Sequence, residues 1–178
     1  MNIILCGFQG CGKTTCGYAL AQMTGLPLYD LDHLIMERYG SAHTNIRELH
    51  VFMGEEQFRF TEAEVLFSLK KEKPGVIALG GGSLTHADAR AAVRELGSLA
   101  YLYVPHLTLE KQLQVRIMKQ GCPSYLDPAD PFGAFKWLYC HRHHLFSTLA
   151  QVTVEVAAST PHDVASEVWL EITRLPRT

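Results

Sequence analysis

Short apolar runs alternate with stretches of helical period along the whole chain. The apolar runs have strand length and lie at Ile3–Cys6, Leu28–Tyr29, Val76–Leu79, Leu99–Val104 and Val152–Val156. The segments between them predict helices at about Lys13–Met23, Asp32–Tyr39, Ile46–Phe52, Glu55–Lys71, Ala87–Glu95, Leu109–Lys119, Phe132–Leu149 and Pro161–Thr173. Such alternation is typical of a parallel sheet with helices on both faces. With right-handed crossovers, the pattern predicts an α/β three-layer sandwich.

Several helix boundaries carry end signals of their own. Gly25 follows the first predicted helix, at the position where a glycine commonly closes a helix. Thr160 with Asp163 has the pattern of an amino-terminal capping box, and Thr85 with Asp88 resembles it. These signals place helix ends independently of the hydrophobic period.

The overall composition is that of an ordinary globular domain. The chain has 178 residues, of which 47% are hydrophobic and 19% charged, and its formal net charge is −2. We expect a single domain over residues 1–178. No basic surplus is present and no apolar run reaches the roughly 20 residues of a membrane span, so we expect neither nucleic acid nor membrane as a partner. The first strand begins almost at Met1, which leaves no room for a leader and predicts a cytoplasmic protein.

The strongest functional signal follows the first predicted strand. From Gly7 to Thr14 the sequence has the spacing G-x-x-x-x-G-K-T of a phosphate-binding loop. Its glycines let the backbone turn tightly, and N–H groups at the following helix start bind anionic oxygens. Lys13 is placed to reach the outer phosphates, and the Thr14 hydroxyl to ligate Mg²⁺. We therefore predict ATP and Mg²⁺ as ligands.

The cysteines indicate free thiols. They are odd in number and include no C-x-x-C pair: Cys6, Cys11, Cys16, Cys122 and Cys140. Thiols stay reduced in a compartment that contains ATP. Cys11 lies in the phosphate-binding loop at a helix start, where a thiol is either reactive or a small filler, and the second interpretation is favoured.

Two carboxylates follow the second predicted strand. In Tyr29-Asp30-Leu31-Asp32, alternate residues of an extended segment point the same way, so Asp30 and Asp32 are expected to face one site. The carboxyl end of a parallel strand is where α/β sheets bind ligands. One carboxylate near Mg²⁺ and one near an acceptor hydroxyl would suit a small-molecule kinase, and a solvated turn is the alternative.

A charged pair and a glycine run are further candidates. Arg59 and Glu62 are three residues apart on a predicted helix and can pair, either on the surface or with Arg59 pointing into a cleft. Gly80, Gly81 and Gly82 follow a predicted strand. Backbone without side chains leaves N–H groups open to a ligand, which favours a substrate floor.

Two later segments bear on the site. Gln120–Pro131 is rich in proline and glycine without a helical period, which is typical of a long surface loop or lid. His141-Arg142-His143-His144 could bind a metal, but no other His or Cys group has zinc-like spacing. We interpret this cluster as a polar helix end that carries one useful arginine, Arg142.

In combination, these motifs resemble the shikimate kinase family over nearly the whole chain. The resemblance rests on GFQGCGKTT, YDLD, EEQFRFTEAEVL, LGGG and the late Arg142 followed by Leu145-Phe146. It implies a fold of the nucleoside-monophosphate-kinase type with five parallel strands in the order 2-3-1-4-5 and a lid at about residues 109–131. It also implies a monomer that uses ATP to phosphorylate the 3-hydroxyl of shikimate, giving shikimate 3-phosphate and ADP in chorismate and aromatic amino acid biosynthesis.

The resemblance further implies a role for each matching residue. The nucleotide would contact Gly10, Cys11, Gly12, Lys13, Thr14, Thr15 and Arg116, the last of these against the adenine ring. Thr14 would ligate Mg²⁺ and Asp30 would hold it through water, while Lys13 stabilises the transferring phosphoryl group. Asp32 would bind the acceptor hydroxyls and accept the proton. The substrate would also contact Arg59, Glu62, Gly80, Gly81, Gly82 and Arg142, with the two arginines clamping its carboxylate.

One segment departs from the family pattern. The lid of the family usually carries Arg-Pro-Leu-Leu, whereas this chain reads Cys122-Pro123-Ser124-Tyr125-Leu126. We expect Lys119 or Arg116 to supply part of the missing charge, with slower turnover than the family pattern suggests. Two other functions stay open: a kinase of another small polyol acid such as gluconate, and a catalytically weak binding or regulatory module.

Overall fold

The computed structural model describes residues 1–123, 125–156 and 159–176. Its strands are β1 (Asn2–Gly7), β2 (Leu28–Asp30), β3 (Val76–Ala78), β4 (Gly97–Tyr103) and β5 (Val152–Glu155). Its α-helices are α1 (Lys13–Thr24), α2 (Leu31–Tyr39), α3 (Ile46–Met53), α4 (Glu55–Ser68), α5 (Ala87–Leu96), α6 (His106–Gln120), α7 (Pro131–Leu149) and α8 (Pro161–Arg174). Short 3-10 helices lie at Leu69–Lys71 and Ser83–Thr85. Every strand and helix predicted from the sequence is present.

The strands form one parallel sheet in the order β2-β3-β1-β4-β5, as the family resemblance implies. The central strand β1 is buried from Ile3 to Gly7. An unbroken apolar run of this kind is what a parallel strand covered on both faces requires, because both sets of alternating side chains enter the core.

The helices pack in two groups. One consists of α1 and α8, which pack against each other and against β1, β3 and β5. In the other, α4 and α5 pack together while α5 and α7 contact β4. With β1 buried between them, the sheet is the middle of three layers, and the predicted three-layer sandwich is confirmed. None of the described helices combines the length and apolarity needed to cross a membrane.

The helix end signals are realised at two of three positions. Gly25 ends α1 with φ 71°, a left-handed conformation that glycine adopts without strain. Thr160 and Asp163 form a reciprocal capping box at α8. The capping pattern of Thr85 with Asp88 is wrong, because the Thr85 hydroxyl donates instead to the carbonyl of Gly82, at 2.7 Å, and no side chain caps α5.

A cleft of about 710 Å³ opens at the carboxyl ends of β1, β2 and β3. This is the edge at which α/β sheets bind ligands, because loops that follow neighbouring parallel strands converge there. Helices α3, α4, α6 and α7 contribute its remaining walls. The relative positions of the candidate functional residues are therefore set by the carboxyl edge of one sheet.

Candidate active site

The phosphate-binding loop joins β1 to α1. Gly12 is the residue before α1 and has φ 92°, so a side chain there would be strained. The buried ammonium of Lys13 donates to the carbonyl oxygens of Gly7, at 3.0 Å, and Phe8, at 2.9 Å. Lys13 thus lies folded against its own loop, at the floor of the cleft where outer phosphates are expected.

The neighbouring loop residues divide into those that face the cleft and one that does not. Gly10, Gly12, Thr14 and Thr15 line the cleft, as predicted for nucleotide-binding residues. Cys11 does not line it: its side chain is only 3% exposed, and its N–H donates to the carbonyl of Phe8. This geometry agrees with the interpretation of Cys11 as a small filler.

Thr14 and Asp30 meet across the cleft floor. The Thr14 hydroxyl donates to Asp30 Oδ2 at 2.8 Å, and Asp30 also caps α2 by accepting from the N–H of His33. A hydroxyl and a carboxylate beside a phosphate-binding loop are the hard oxygen donors that Mg²⁺ prefers, with water and substrate phosphates completing its shell. This donor set fits the predicted metal. Among the described residues, no three His, Cys, Asp or Glu side chains are grouped to hold a metal ion.

Asp32 lies in the first turn of α2 and not on an extended segment. Its carboxylate nevertheless lines the same cleft as Asp30, because the strand ends at Asp30 and the helix turns the next residues over it. The alternation expected for these two residues is therefore wrong, although their convergence is confirmed.

The electrostatic surroundings of Asp32 distinguish it from Asp30. Burial, with the nearby charges of Asp30 and Glu62, raises the pKa of Asp32 to about 6, against the opposing effect of Lys13 and Arg59. Within the described chain its oxygens have no hydrogen-bond partner. A carboxylate with a pKa near the working pH and with both oxygens free is suited to accept a proton.

Arg59 of α4 is held between two carboxylates. Its Nη1 donates to Glu62 Oε2 at 2.6 Å, and its Nε donates to Glu55 Oε1 at 2.8 Å. Glu62 is fully buried and the Arg59 side chain is only 11% exposed, so this is not a surface pair. Glu55 in turn contacts His50 Nε2 at 2.6 Å, which links α4 to α3.

The second carboxylate oxygen of Glu62 accepts from the hydroxyl of Ser83, in the short helix after the glycine run. Both oxygens of this buried carboxylate are therefore paired, as a buried charge requires. The pairing fixes the Arg59 guanidinium relative to the end of β3, and its Nη2, which has no partner among the described residues, can donate to a ligand.

The glycine run is required for space. A Cβ at Gly80 would lie 2.7 Å from Glu62 Oε1 and 3.1 Å from Asp32 Oδ1. A Cβ at Gly82 would collide with the Arg59 guanidinium, and one at Gly81 would press on the backbone of the phosphate-binding loop. The three glycines let these groups approach one another across the cleft.

Arg142 of α7 lines the same cleft. Burial, together with the like charge of Arg59, lowers its pKa below the ordinary arginine value. Its Nε is buried with no hydrogen-bond partner in the described structure. Two guanidinium groups that repel each other across a gap form a site for an anion, which would pair with both.

The predicted loop lies between α6 and α7, at residues 121–130, of which Ser124 lies outside the described residues. Arg116 of α6 lines the cleft, whereas Lys119 does not and is exposed. Leu126 is buried in the core, and Tyr125 lines the cleft. Of the two cations proposed to compensate for Cys122, only Arg116 is in position.

Four cleft residues with ionisable side chains were not predicted as site residues from the sequence: Arg47, His50, Glu55 and Tyr125. Arg47 and His50 belong to a face of α3 that also presents Ile46 and Val51 to the cleft. No motif marks them, because helix periodicity says which residues share a face but not what that face meets.

A phosphate-binding loop, two convergent carboxylates and a guanidinium clamp in one cleft define a P-loop phosphotransferase that acts on a small acceptor. Comparison with known proteins narrows this class. The family model for shikimate kinase matches residues 9–173, and the chain belongs to the shikimate kinase family.

Individual relatives agree with this assignment. The shikimate kinase of Nitrosomonas europaea is 40% identical over 111 residues, which are 62% of this chain and 51%, or about half, of that protein. The shikimate kinase of Dechloromonas aromatica is 32% identical over 98% of this chain and 91% of its own length. The solved shikimate kinase from Acinetobacter baumannii in complex with shikimate is 33% identical, with a TM-score of 0.82, over 97% of this chain and 92% of that one.

Proposed function

We propose that this protein transfers the γ-phosphoryl group of ATP to the 3-hydroxyl of shikimate, releasing shikimate 3-phosphate and ADP. The observation that carries the proposal is the position of Asp32. Its carboxylate has no hydrogen-bond partner among the described residues, and it lines one cleft together with the phosphate-binding loop and the anion clamp of Arg59 and Arg142. An acceptor held by its carboxylate can thus place a hydroxyl beside both Asp32 and the phosphates.

The nucleotide end is formed by the loop between β1 and α1. N–H groups at the start of α1 and the ammonium of Lys13 bind the β- and γ-phosphates, for which Lys13 exchanges the carbonyl oxygens it now contacts. Arg116 lines the same cleft, and it packs against the adenine ring as the family resemblance implies.

Thr14 and Asp30 are the residues that would hold Mg²⁺, Asp30 through water. The ion supplies positive charge that offsets the charge of the phosphates when it is bound. The Thr14–Asp30 hydrogen bond keeps both oxygens at the cleft floor before any ligand arrives.

At the acceptor end, Arg59 and Arg142 bind the carboxylate of shikimate, and the N–H groups of Gly80, Gly81 and Gly82 contact its ring hydroxyls. Planar guanidinium groups suit this task because each can bind a carboxylate through two parallel hydrogen bonds. Glu62 holds Arg59 in place through the contact at 2.6 Å.

During transfer, the oxygen of the 3-hydroxyl bonds to the γ-phosphorus while Asp32 accepts the proton of that hydroxyl. The bond from that phosphorus to the bridging oxygen breaks, and ADP leaves with the electron pair. Lys13 stabilises the charge that develops on the transferred group. Phosphoryl transfer needs mainly positioning and charge stabilisation, and these residues are of the types that provide both.

The cellular setting is part of the same proposal. We propose a cytoplasmic monomer whose partners are ATP and shikimate, in the biosynthesis of chorismate and the aromatic amino acids. Residues 109–131 act as its lid, which closes over both ligands.

A coupled assay of ADP release tests the proposal against its alternatives. It is run with shikimate, with gluconate and without an acceptor. We expect ADP release with shikimate alone. Release with gluconate alone would favour a different polyol acid kinase, and no release with any acceptor, despite binding of ATP and shikimate, would favour a binding module.

A further inference from the structure

Tyr125 places a hydroxyl in the cleft where the family pattern has leucine. It belongs to the loop between α6 and α7, lines the cleft and is 45% exposed. Within the described chain the phenol has no hydrogen-bond partner. It is therefore a donor at the mouth of the site without an assigned role.

Three guanidinium groups from three different helices line the same cleft as this phenol: Arg47 of α3, Arg116 of α6 and Arg142 of α7. None of the three makes a hydrogen bond or ion pair with another described residue, while the carboxylates of Glu55 and Glu62 are engaged by Arg59. Unpaired cations that converge on one donor form a site for an anion.

Arg142 locates that anion within the cleft. Arg142 lines the same cleft as Arg59 and Tyr125. A carboxylate held by Arg59 and Arg142 therefore lies in the cleft that the phenol also lines. Burial raises the pKa of Tyr125 above its ordinary value even with the arginines nearby, so the hydroxyl keeps its proton and donates.

We propose that Tyr125 and Arg47 form the outer edge of the acceptor subsite, where the phenol donates a hydrogen bond to the acceptor's carboxylate and Arg47 adds positive charge to it. The inference rests on the proposed function, since it extends the subsite of Arg59 and Arg142. Arg47 belongs to α3 and Tyr125 to the loop between α6 and α7, so two separate segments of the chain contribute to this edge.

The test measures binding of shikimate and of its methyl ester by titration calorimetry. The variants are Tyr125→Phe, which removes only the hydroxyl, and Arg47→Ala. Tyr18→Phe and Arg94→Ala are the matched controls, because both side chains are exposed and outside this cleft.

We expect Tyr125→Phe to weaken shikimate binding about tenfold, as loss of one hydrogen bond to a charged group does. For the more exposed Arg47→Ala we expect about threefold. Binding of the ester should change little in either variant, and the controls should match the wild type.

Unchanged shikimate affinity in Tyr125→Phe would overturn the inference alone, and so would equal weakening for acid and ester. A loss of kcat with unchanged shikimate affinity would place these residues on the phosphates and also overturn it. A wild-type protein that binds no shikimate would overturn the proposed function as well.

Discussion

At the residue scale, the chemistry depends on the ionisation of Asp32. Its pKa of about 6 means that the carboxylate is charged at neutral pH and protonated below pH 6. Only the charged form of Asp32 can take the proton of the shikimate hydroxyl. We therefore expect kcat/KM for shikimate to fall about tenfold per pH unit below pH 6. A pH–rate profile at saturating ATP and Mg²⁺ measures this, and a flat profile down to pH 5 would remove Asp32 as the base.

The raised pKa of Asp32 lowers the stability of the folded protein at neutral pH. The folded pKa of Asp32 is raised above the unfolded value of roughly 4, so the native state binds more protons between pH 4 and 6. Its contribution to stability is present below pH 4 and is lost as pH rises through 6. The free energy of unfolding of Asp32→Asn, measured relative to wild type, should therefore be larger at pH 7.5 than at pH 4 by on the order of 2 kcal/mol. The variant should also lose activity.

Urea unfolding at the two pH values measures that difference. Asp88→Asn is the matched control, because its side chain is 56% exposed. If Asp32→Asn gave the same stability difference from wild type at both pH values, burial would not destabilise the charged form of Asp32.

Arg59 is expected to be irreplaceable by lysine. An ammonium cannot reproduce the planar set of contacts to Glu55, Glu62 and a substrate carboxylate. Arg59→Lys should raise KM for shikimate by about 30-fold or more, the equivalent of about 2 kcal/mol. Arg38→Lys, at an exposed arginine of α2, serves as the control, and an unchanged KM in Arg59→Lys would exclude Arg59 from the clamp.

Sequence patterns located most of these residues but not their local geometry. The phosphate-binding loop and the glycine run are sequence-local, so their spacing alone predicted which residues face the cleft. Asp32 depends on where α2 begins, and the alternation pattern wrongly placed it on an extended segment. Cys11 is buried, in agreement with its interpretation as a small filler. Tyr125 and Arg47 meet only through the tertiary fold, which no local pattern encodes.

At the scale of elements, strands and helices were predictable because each has one dominant local cause. The continuous apolar run of β1 follows from burial on two faces, and α8 begins where its capping box begins. The start of α5 at Ala87 was predicted correctly, but its cap was not, because Thr85 has a competing acceptor in the carbonyl of Gly82. Competition of this kind between a cap and a turn is invisible until the turn's shape is known.

The loop between α6 and α7 carries a prediction about rate. A guanidinium aimed at a transferring phosphoryl group can raise turnover by several powers of ten, and this loop has Cys122 in place of the family's arginine. Cys122→Arg should raise kcat at least about tenfold with little change in shikimate affinity. Arg116→Ala should lower kcat, because Arg116 is the loop-proximal cation that lines the cleft.

Lys119→Ala is the matched control for that series, since Lys119 is exposed and does not line the cleft. Turnover that stayed constant in both Cys122→Arg and Arg116→Ala would mean that the phosphate-binding loop supplies the catalytic charge alone.

At the scale of the whole molecule, the cleft brings together two like charges, and an anionic ligand would relieve their repulsion. Arg59 and Arg142 repel each other, and a shikimate carboxylate would neutralise the gap. At a hundred times its Kd, shikimate should add about 2.7 kcal/mol of stability. For a protein of this size that corresponds to a rise in Tm of roughly 5–10 °C, which differential scanning fluorimetry measures. An equal rise with the methyl ester at the same multiple of the acid's Kd would show that the carboxylate is not the relevant group.

The contacts of Lys13 indicate which end of the cleft an inhibitor of this protein should occupy. Its ammonium is already satisfied by two carbonyl oxygens of its own loop, so a compound that competes with nucleotide must replace those contacts before it gains anything. Among the described residues, the guanidinium of Arg142 and the carboxylate of Asp32 have no such partners. A small compound that fills only the acceptor end therefore displaces fewer existing bonds per atom, and that end is the more economical starting point for fragment screening.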